Sequence, residues 1–144
     1  MTRARTLMTL KRVLVADDLP HVLSAVDDLL RQSFEVVALV SDGRAALEAI
    51  LALEPDLVVM DISMPEMTGV EVAKELKKRH NKVRIVFFTV HKDADILAAS
   101  LAAGGLGYVL KVHMETDLIP AMHEALAGRV YVSRFSPRKE PREG

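Results

Sequence analysis

Cysteine is absent from the 144 residues, which removes thiol nucleophiles, thiolate metal sites and disulfide frameworks together. A chain without cysteine suits a reducing compartment, and the expected location is the cytoplasm. Long hydrophobic runs are lacking too: nothing approaches the ~18 apolar residues of a spanning helix. The basic start MTRARTLMTLKR leads into an apolar stretch of only Val13 to Ala16 before two aspartates, so it reads as neither signal peptide nor anchor. No membrane contact is expected. No G-x-x-x-x-G-K-[ST] occurs, which excludes a P-loop. Gly104-Gly105-x-Gly107 precedes an apolar run where a dinucleotide fingerprint would follow one, so it reads as a tight turn. His21, His80, His113 and His123 have no i,i+3 or i,i+4 partner suited to a transition metal and read as surface residues.

What is present is enough for one ordinary domain, with half of the residues hydrophobic. The formal net charge of −1 conceals a division: residues 1–12 carry +4 and residues 130–144 carry +2, which leaves −7 on the body between them. An acidic body argues against nucleic-acid binding, because affinity there rests on neutralising phosphates. The expected organisation is a basic tail over 1–10, a folded unit over 11–128 and a C-terminal tail or truncated linker over 129–144. No DNA binding by this chain is expected.

Within the body, short apolar runs alternate five times with segments of helical period. The strand candidates are 12–16, 35–40, 57–60, 83–88 and 107–110. Being unbroken instead of alternating, they read as strands covered on both faces, as in a parallel sheet. The covers are amphipathic: Val22, Ala25, Val26, Leu29 and Leu30 share one helical face, and Leu118, Ile119, Met122, Ala125 and Leu126 share another. Asp42 and Thr68 suit helix starts, and Thr116 or Asp117 is expected to cap a last helix with Pro120 in its first turn. Five βα units in ~120 residues give a doubly wound (βα)5 sandwich of the flavodoxin-like kind, with a parallel five-stranded sheet in the order 2-1-3-4-5.

In such sheets the site lies beyond the carboxyl ends of the strands. The residues there are Asp17 and Asp18 after the first strand, Asp61 after the third, Thr89 after the fourth and Lys111 after the fifth. The predicted order makes these strands neighbours, so the five residues should share a pocket. Three carboxylates repel one another unless a cation joins them, and an all-oxygen donor set suits Mg²⁺ or Mn²⁺. With a lysine and a hydroxyl opposite, the set describes a site for a phosphoryl group on Asp61.

These residues, with VLVADD at 13–18, SDGRAALEAI at 41–50, PDLVVMDISMPEMTGVEV at 55–72, FFTVH at 87–91 and GYVLK at 107–111, resemble the receiver domain of a bacterial two-component response regulator. The pattern is closest to NarL/LuxR-type receivers. The D-x-x-M-P-x-M-x-G spacing from Asp61 to Gly69 is its most specific part. The resemblance implies Asp61 as the phosphoacceptor, and Asp18, Asp61 and the backbone carbonyl of Ser63 as direct Mg²⁺ ligands. It also implies Asp17 as a ligand through water, Thr89 and Lys111 on the phosphoryl oxygens, and Tyr108 as an aromatic switch partnered with Thr89. Its implied partner is a histidine kinase or phosphotransfer protein.

Four positions depart from or tune this pattern. Val90 is bulkier than the Ala or Gly common after the threonine and is expected to narrow access to Asp61. Val112 stands where many receivers have proline. Ser63 and His91 occupy positions that in the family flank the attacking water and tune dephosphorylation. The competing reading is a Mg²⁺-dependent phosphatase of the haloacid dehalogenase type, whose D-x-D would need an acid where Ser63 stands. The GRVYVS segment at 128–133 resembles the end of NarL/LuxR-type receivers before their linker. Either a stand-alone receiver with a downstream protein partner or a receiver missing its output domain fits, as a monomer or as a phosphorylation-dependent dimer. Beyond catalysing its own phosphorylation and dephosphorylation, the chain is not expected to be an enzyme.

Overall fold

A computed structural model describes residues 9–134. The elements follow one another as β1 (Arg12–Ala16), α1 (Pro20–Leu30), β2 (Glu35–Val40), α2 (Gly43–Leu53), β3 (Leu57–Met60) and α3 (Gly69–Lys78). Then come β4 (Arg84–Thr89), α4 (Ala94–Ala102), β5 (Gly107–Leu110), a 3-10 turn (Lys111–His113), α5 (Met114–Leu126) and β6 (Tyr131–Val132). All strand pairs are parallel, in the order β2-β1-β3-β4-β5-β6.

The unbroken apolar runs are explained by two cores, one on each face of the sheet. Because successive side chains on a strand point to opposite faces, Leu14, Val58, Met60 and Phe87 join Ala46, Ile50, Val72 and Leu76 of α2 and α3. Their neighbours Val13, Val15, Val59, Val86 and Val109 join Val26, Leu30, Leu118 and Met122 of α1 and α5. A strand that feeds both cores has no polar position to alternate. β2, at the sheet edge, is only half-buried.

Helix starts are fixed by side chains where the sequence places Asp42 and Thr68. Asp42 accepts from the Ala45 amide at 2.7 Å. Thr68 and Glu71 form a reciprocal capping box at the start of α3, a motif of about 1 kcal/mol. Such caps set where each loop at the carboxyl edge ends.

Three features differ from the sequence expectation. The parallel sheet has a sixth strand, because Tyr131 and Val132, expected in the tail, pair with Gly107 and Tyr108. β4 ends on Thr89, so this residue closes the strand instead of following it. The last helix begins at Met114, because the 3-10 turn runs straight into it. Thr116 and Asp117 therefore lie inside the helix, and Pro120 sits mid-helix, beyond the first turn.

Candidate functional site

The carboxyl ends of β1, β3 and β5 bring Asp17, Asp18, Asp61 and Lys111 together. Backbone bonds from Asp17 N to Val40 O and from Asp61 N to Ala16 O tie both aspartates to neighbouring strand ends. Asp17 is 1% exposed and Asp61 5% exposed, whereas Asp18 faces solvent. One carboxylate oxygen from each of the three lies within 4.8 Å of the others. Lys111 Nζ stands 2.7 Å from Asp17 Oδ2 and 3.1 Å from Asp61 Oδ2, and 5.9 Å from the centre of the Phe88 ring.

The loop after Asp61 depends on one glycine. A Cβ on Gly69 would overlap the Asp61 carbonyl oxygen, and the Gly69 amide donates to Ile62 O at 2.7 Å. The first turn of α3 can approach the Asp61 backbone only without a side chain there. The spacing from Asp61 to Gly69 is thus a packing requirement of the site.

Electrostatically the cluster is short of positive charge. Burial pushes the Asp61 carboxyl up, and the Asp17 charge adds to this; the Lys111 ammonium and the Ile62 amide, 2.7 Å from Oδ1, pull the other way without cancelling it. Burial also disfavours the Lys111 ammonium, but its contacts with Asp17 and Asp61 outweigh that and raise its pKa. One lysine among three carboxylates leaves an all-oxygen, net negative donor set. That set fits a hard divalent cation, with the exposed Asp18 on the open side.

A second group of residues lies on the β4 side. Thr89 Oγ1 accepts from the His91 amide at 3.1 Å, and the Tyr108 hydroxyl donates to His91 O at 2.9 Å. The Tyr108 ring is fully buried, and burial, with a smaller effect of Asp93, pushes its phenol up to about 12. The Tyr108 ring is thus turned inward in this structure, with its hydroxyl held by the His91 carbonyl. Ser63 Oγ and His91 Nε2 are 2.7 Å apart, which joins the two tuning positions directly. Val90 and Val112 are 67% and 74% exposed.

The response regulator receiver domain model matches residues 13–123. The chain belongs to the receiver domain family of response regulators. It is 33% identical over 123 residues to the nitrate/nitrite response regulator protein NarL of Escherichia coli (strain K12), covering 84% of this chain and 57% of that protein. To the protein-glutamate methylesterase/protein-glutamine glutaminase of a Nocardioides species it is 42% identical over 104 residues, 69% of this chain and 28% of the other. Among solved structures, the signal receiver domain of the NarL response regulator from Mycobacterium tuberculosis superposes with a TM-score of 0.80 at 32% identity. That match covers 85% of this chain and all of the other. The receiver thus spans little more than half of NarL and under a third of the methylesterase. Among the described residues no helix is long and apolar enough to cross a membrane.

Sequence reasoning missed one set of residues. Asp117, expected only as a cap, accepts from the Tyr131 hydroxyl at 3.0 Å and the Ser133 hydroxyl at 2.6 Å. Ser133 Oγ in turn accepts from the Leu110 amide at 3.1 Å. The signal was present as Tyr131 and Val132, a β-prone pair, but two residues are too few for periodicity to register.

Proposed function

We propose that this receiver accepts a phosphoryl group on Asp61 from the phosphohistidine of a histidine kinase or phosphotransfer protein, and passes the change on through a protein surface. The observation that supports this is the buried Asp61 carboxylate clustered with Asp17 and Asp18, with Lys111 Nζ against both Asp61 and Asp17. In the transfer, a bond forms from an Asp61 carboxylate oxygen to phosphorus while the phosphorus-nitrogen bond breaks, and the electron pair leaves with the imidazole. Asp18, Asp61 and the Ser63 carbonyl, with Asp17 through water, would hold Mg²⁺, or Mn²⁺ in its place, which when bound neutralises phosphoryl oxygens. Lys111 stabilises charge on the opposite side, and its buried ion pairs keep it aimed there. The partial burial of Asp61 excludes bulk water from the acyl phosphate.

Thr89 is the residue proposed to sense the phosphate. Its hydroxyl is at present committed to the His91 amide, and turning towards a phosphoryl oxygen would release that amide. The His91 carbonyl also holds Tyr108, so a change at Thr89 reaches the aromatic ring through one residue. Val90 is proposed to restrict small phosphodonors at the mouth of the site. Cytoplasmic operation follows from a kinase partner of this kind.

The phosphatase alternative fits less well. The residue two after Asp61 is Ser63, bonded to His91, and no second acid stands there to work on a leaving group. Incubation with Mg²⁺ and acetyl phosphate should give one hydroxylamine-labile phosphoryl group per chain. Multiple turnover of an alkyl or aryl phosphate ester would instead establish the phosphatase.

A further inference from the structure

The buried Leu110 amide sits one residue before Lys111, at the end of β5, and its acceptor is a side chain from β6's flank, the Ser133 hydroxyl. Ser133 is itself only 2% exposed. A serine hydroxyl rotates freely unless its proton is claimed. Here Asp117 Oδ2 claims it at 2.6 Å, which turns a lone pair of the oxygen towards the Leu110 amide. The same segment is held independently: Ser133 N donates to Tyr108 O and Tyr131 N donates to Leu106 O, both at 2.8 Å, and the Tyr131 hydroxyl takes the other oxygen of Asp117.

We propose that Ser133, oriented by Asp117, is a positioning residue for the phosphoacceptor site: its hydroxyl fixes the Leu110 amide and with it the backbone that carries Lys111. This rests on the reading of Asp61 as phosphoacceptor. Lys111 reaches Asp17 and Asp61 from a backbone that leaves the sheet at Leu110 and enters a 3-10 turn at once. The last fixed point before that turn is the Leu110 peptide. A drift of the turn would move Nζ relative to both carboxylates, and a misplacement well below the length of a residue is enough to weaken a preorganised charge contact. The Asp117-Ser133-Leu110 chain therefore connects the segment that leaves the receiver to the site's cation.

The test uses the full 144-residue chain with Mg²⁺ and beryllofluoride as the phosphoryl mimic, read by amide NMR titration, with thermal unfolding measured alongside. Ser133→Ala is expected to shift the Leu110 and Lys111 amide resonances, speed exchange of the Leu110 amide and weaken beryllofluoride binding on the order of three- to tenfold. Tyr131→Phe removes a bond from the same segment but leaves the Leu110 acceptor in place, so it should lower thermal stability while keeping wild-type affinity. Asp117→Asn keeps the Ser133 hydroxyl but not the charge that orients it, and an intermediate loss is expected; it also serves if Ser133→Ala does not fold. Wild-type affinity in Ser133→Ala or in Asp117→Asn overturns the proposal, as does an equal loss in Tyr131→Phe, which would make the segment a structural brace only. Failure of the wild-type chain to bind beryllofluoride overturns the reading of Asp61 instead, and the positioning role with it.

Discussion

Ser63 Oγ and His91 Nε2 lie 2.7 Å apart, which ties the loop after β3 to the loop after β4 across the mouth of the site. The Nε2 atom of His91 is engaged in this bond. Removing the bond by His91→Ala or Ser63→Ala should therefore open the mouth and shorten the life of the acyl phosphate. Loss of one such bond, about 1 kcal/mol, corresponds to roughly fivefold in rate. Decay of phosphorylated protein after removal of donor measures it. A longer life in His91→Ala would mean that the imidazole assists the attacking water.

Asp61 lowers stability when no cation accompanies it. Its pKa is raised in the folded state, chiefly by burial, so the folded chain binds more protons than the unfolded one above the ordinary carboxylate range. Stability then falls as pH rises from that range through the folded-state pKa, above which the cost is fully present. Asp61→Asn should raise the metal-free Tm at pH 7 by about 4 °C, the shift that ~1 kcal/mol gives a domain of this size. The gain in Tm that Mg²⁺ gives the wild type should vanish in the variant. Thermal unfolding at several pH values with and without Mg²⁺ reads both effects.

Gly69→Ala places a methyl group into the Asp61 carbonyl. Overpacking of this kind costs about 1–3 kcal/mol. Because the atom displaced belongs to Asp61 itself, phosphorylation should fall more than stability does. A variant that folds and takes phosphate at the wild-type rate would show that the loop after β3 moves freely of Asp61.

The attachment of β6 should be lost in acid. Burial tends to raise the Asp117 carboxyl, but hydrogen bonds from Ser133, Tyr131 and Thr116 outweigh it and leave the pKa lowered. Stability from this group is thus present above the ordinary value of 3.8 and lost as pH falls through the lower folded-state value. Amide exchange at Tyr131 and Ser133, corrected for the intrinsic rate, should lose protection below about pH 4, ahead of the central strands.

The parallel sheet and the cluster of Asp17, Asp18, Asp61 and Lys111 were legible because each rests on a strong local signal. The unbroken runs of β1, β3 and β5 require two covered faces, and an aspartate or lysine directly after such a run has few structural uses. Asp17, Asp18, Asp61 and Lys111 were found together for that reason. Tyr131 and Ser133 were not legible, because a two-residue strand acquires meaning only when Leu106 and Tyr108 offer their carbonyls. Nor was the inward Tyr108 ring, since a tyrosine in a buried strand does not reveal which carbonyl its hydroxyl will reach. The start of α5 was misplaced because Thr116 and Asp117 resemble caps. Their side chains are used instead on the His113 carbonyl and on the hydroxyls of Tyr131 and Ser133.

The most direct test of the account is to phosphorylate the chain with Mg²⁺ and a phosphohistidine donor, trap the acyl phosphate by borohydride reduction and locate the reduced residue by peptide mass spectrometry. The account predicts reduction at Asp61 alone, dependent on Mg²⁺ and absent from Asp61→Asn. Reduction at Asp17 or Asp18, or stable phosphate on a serine or threonine with Asp61 untouched, would contradict it.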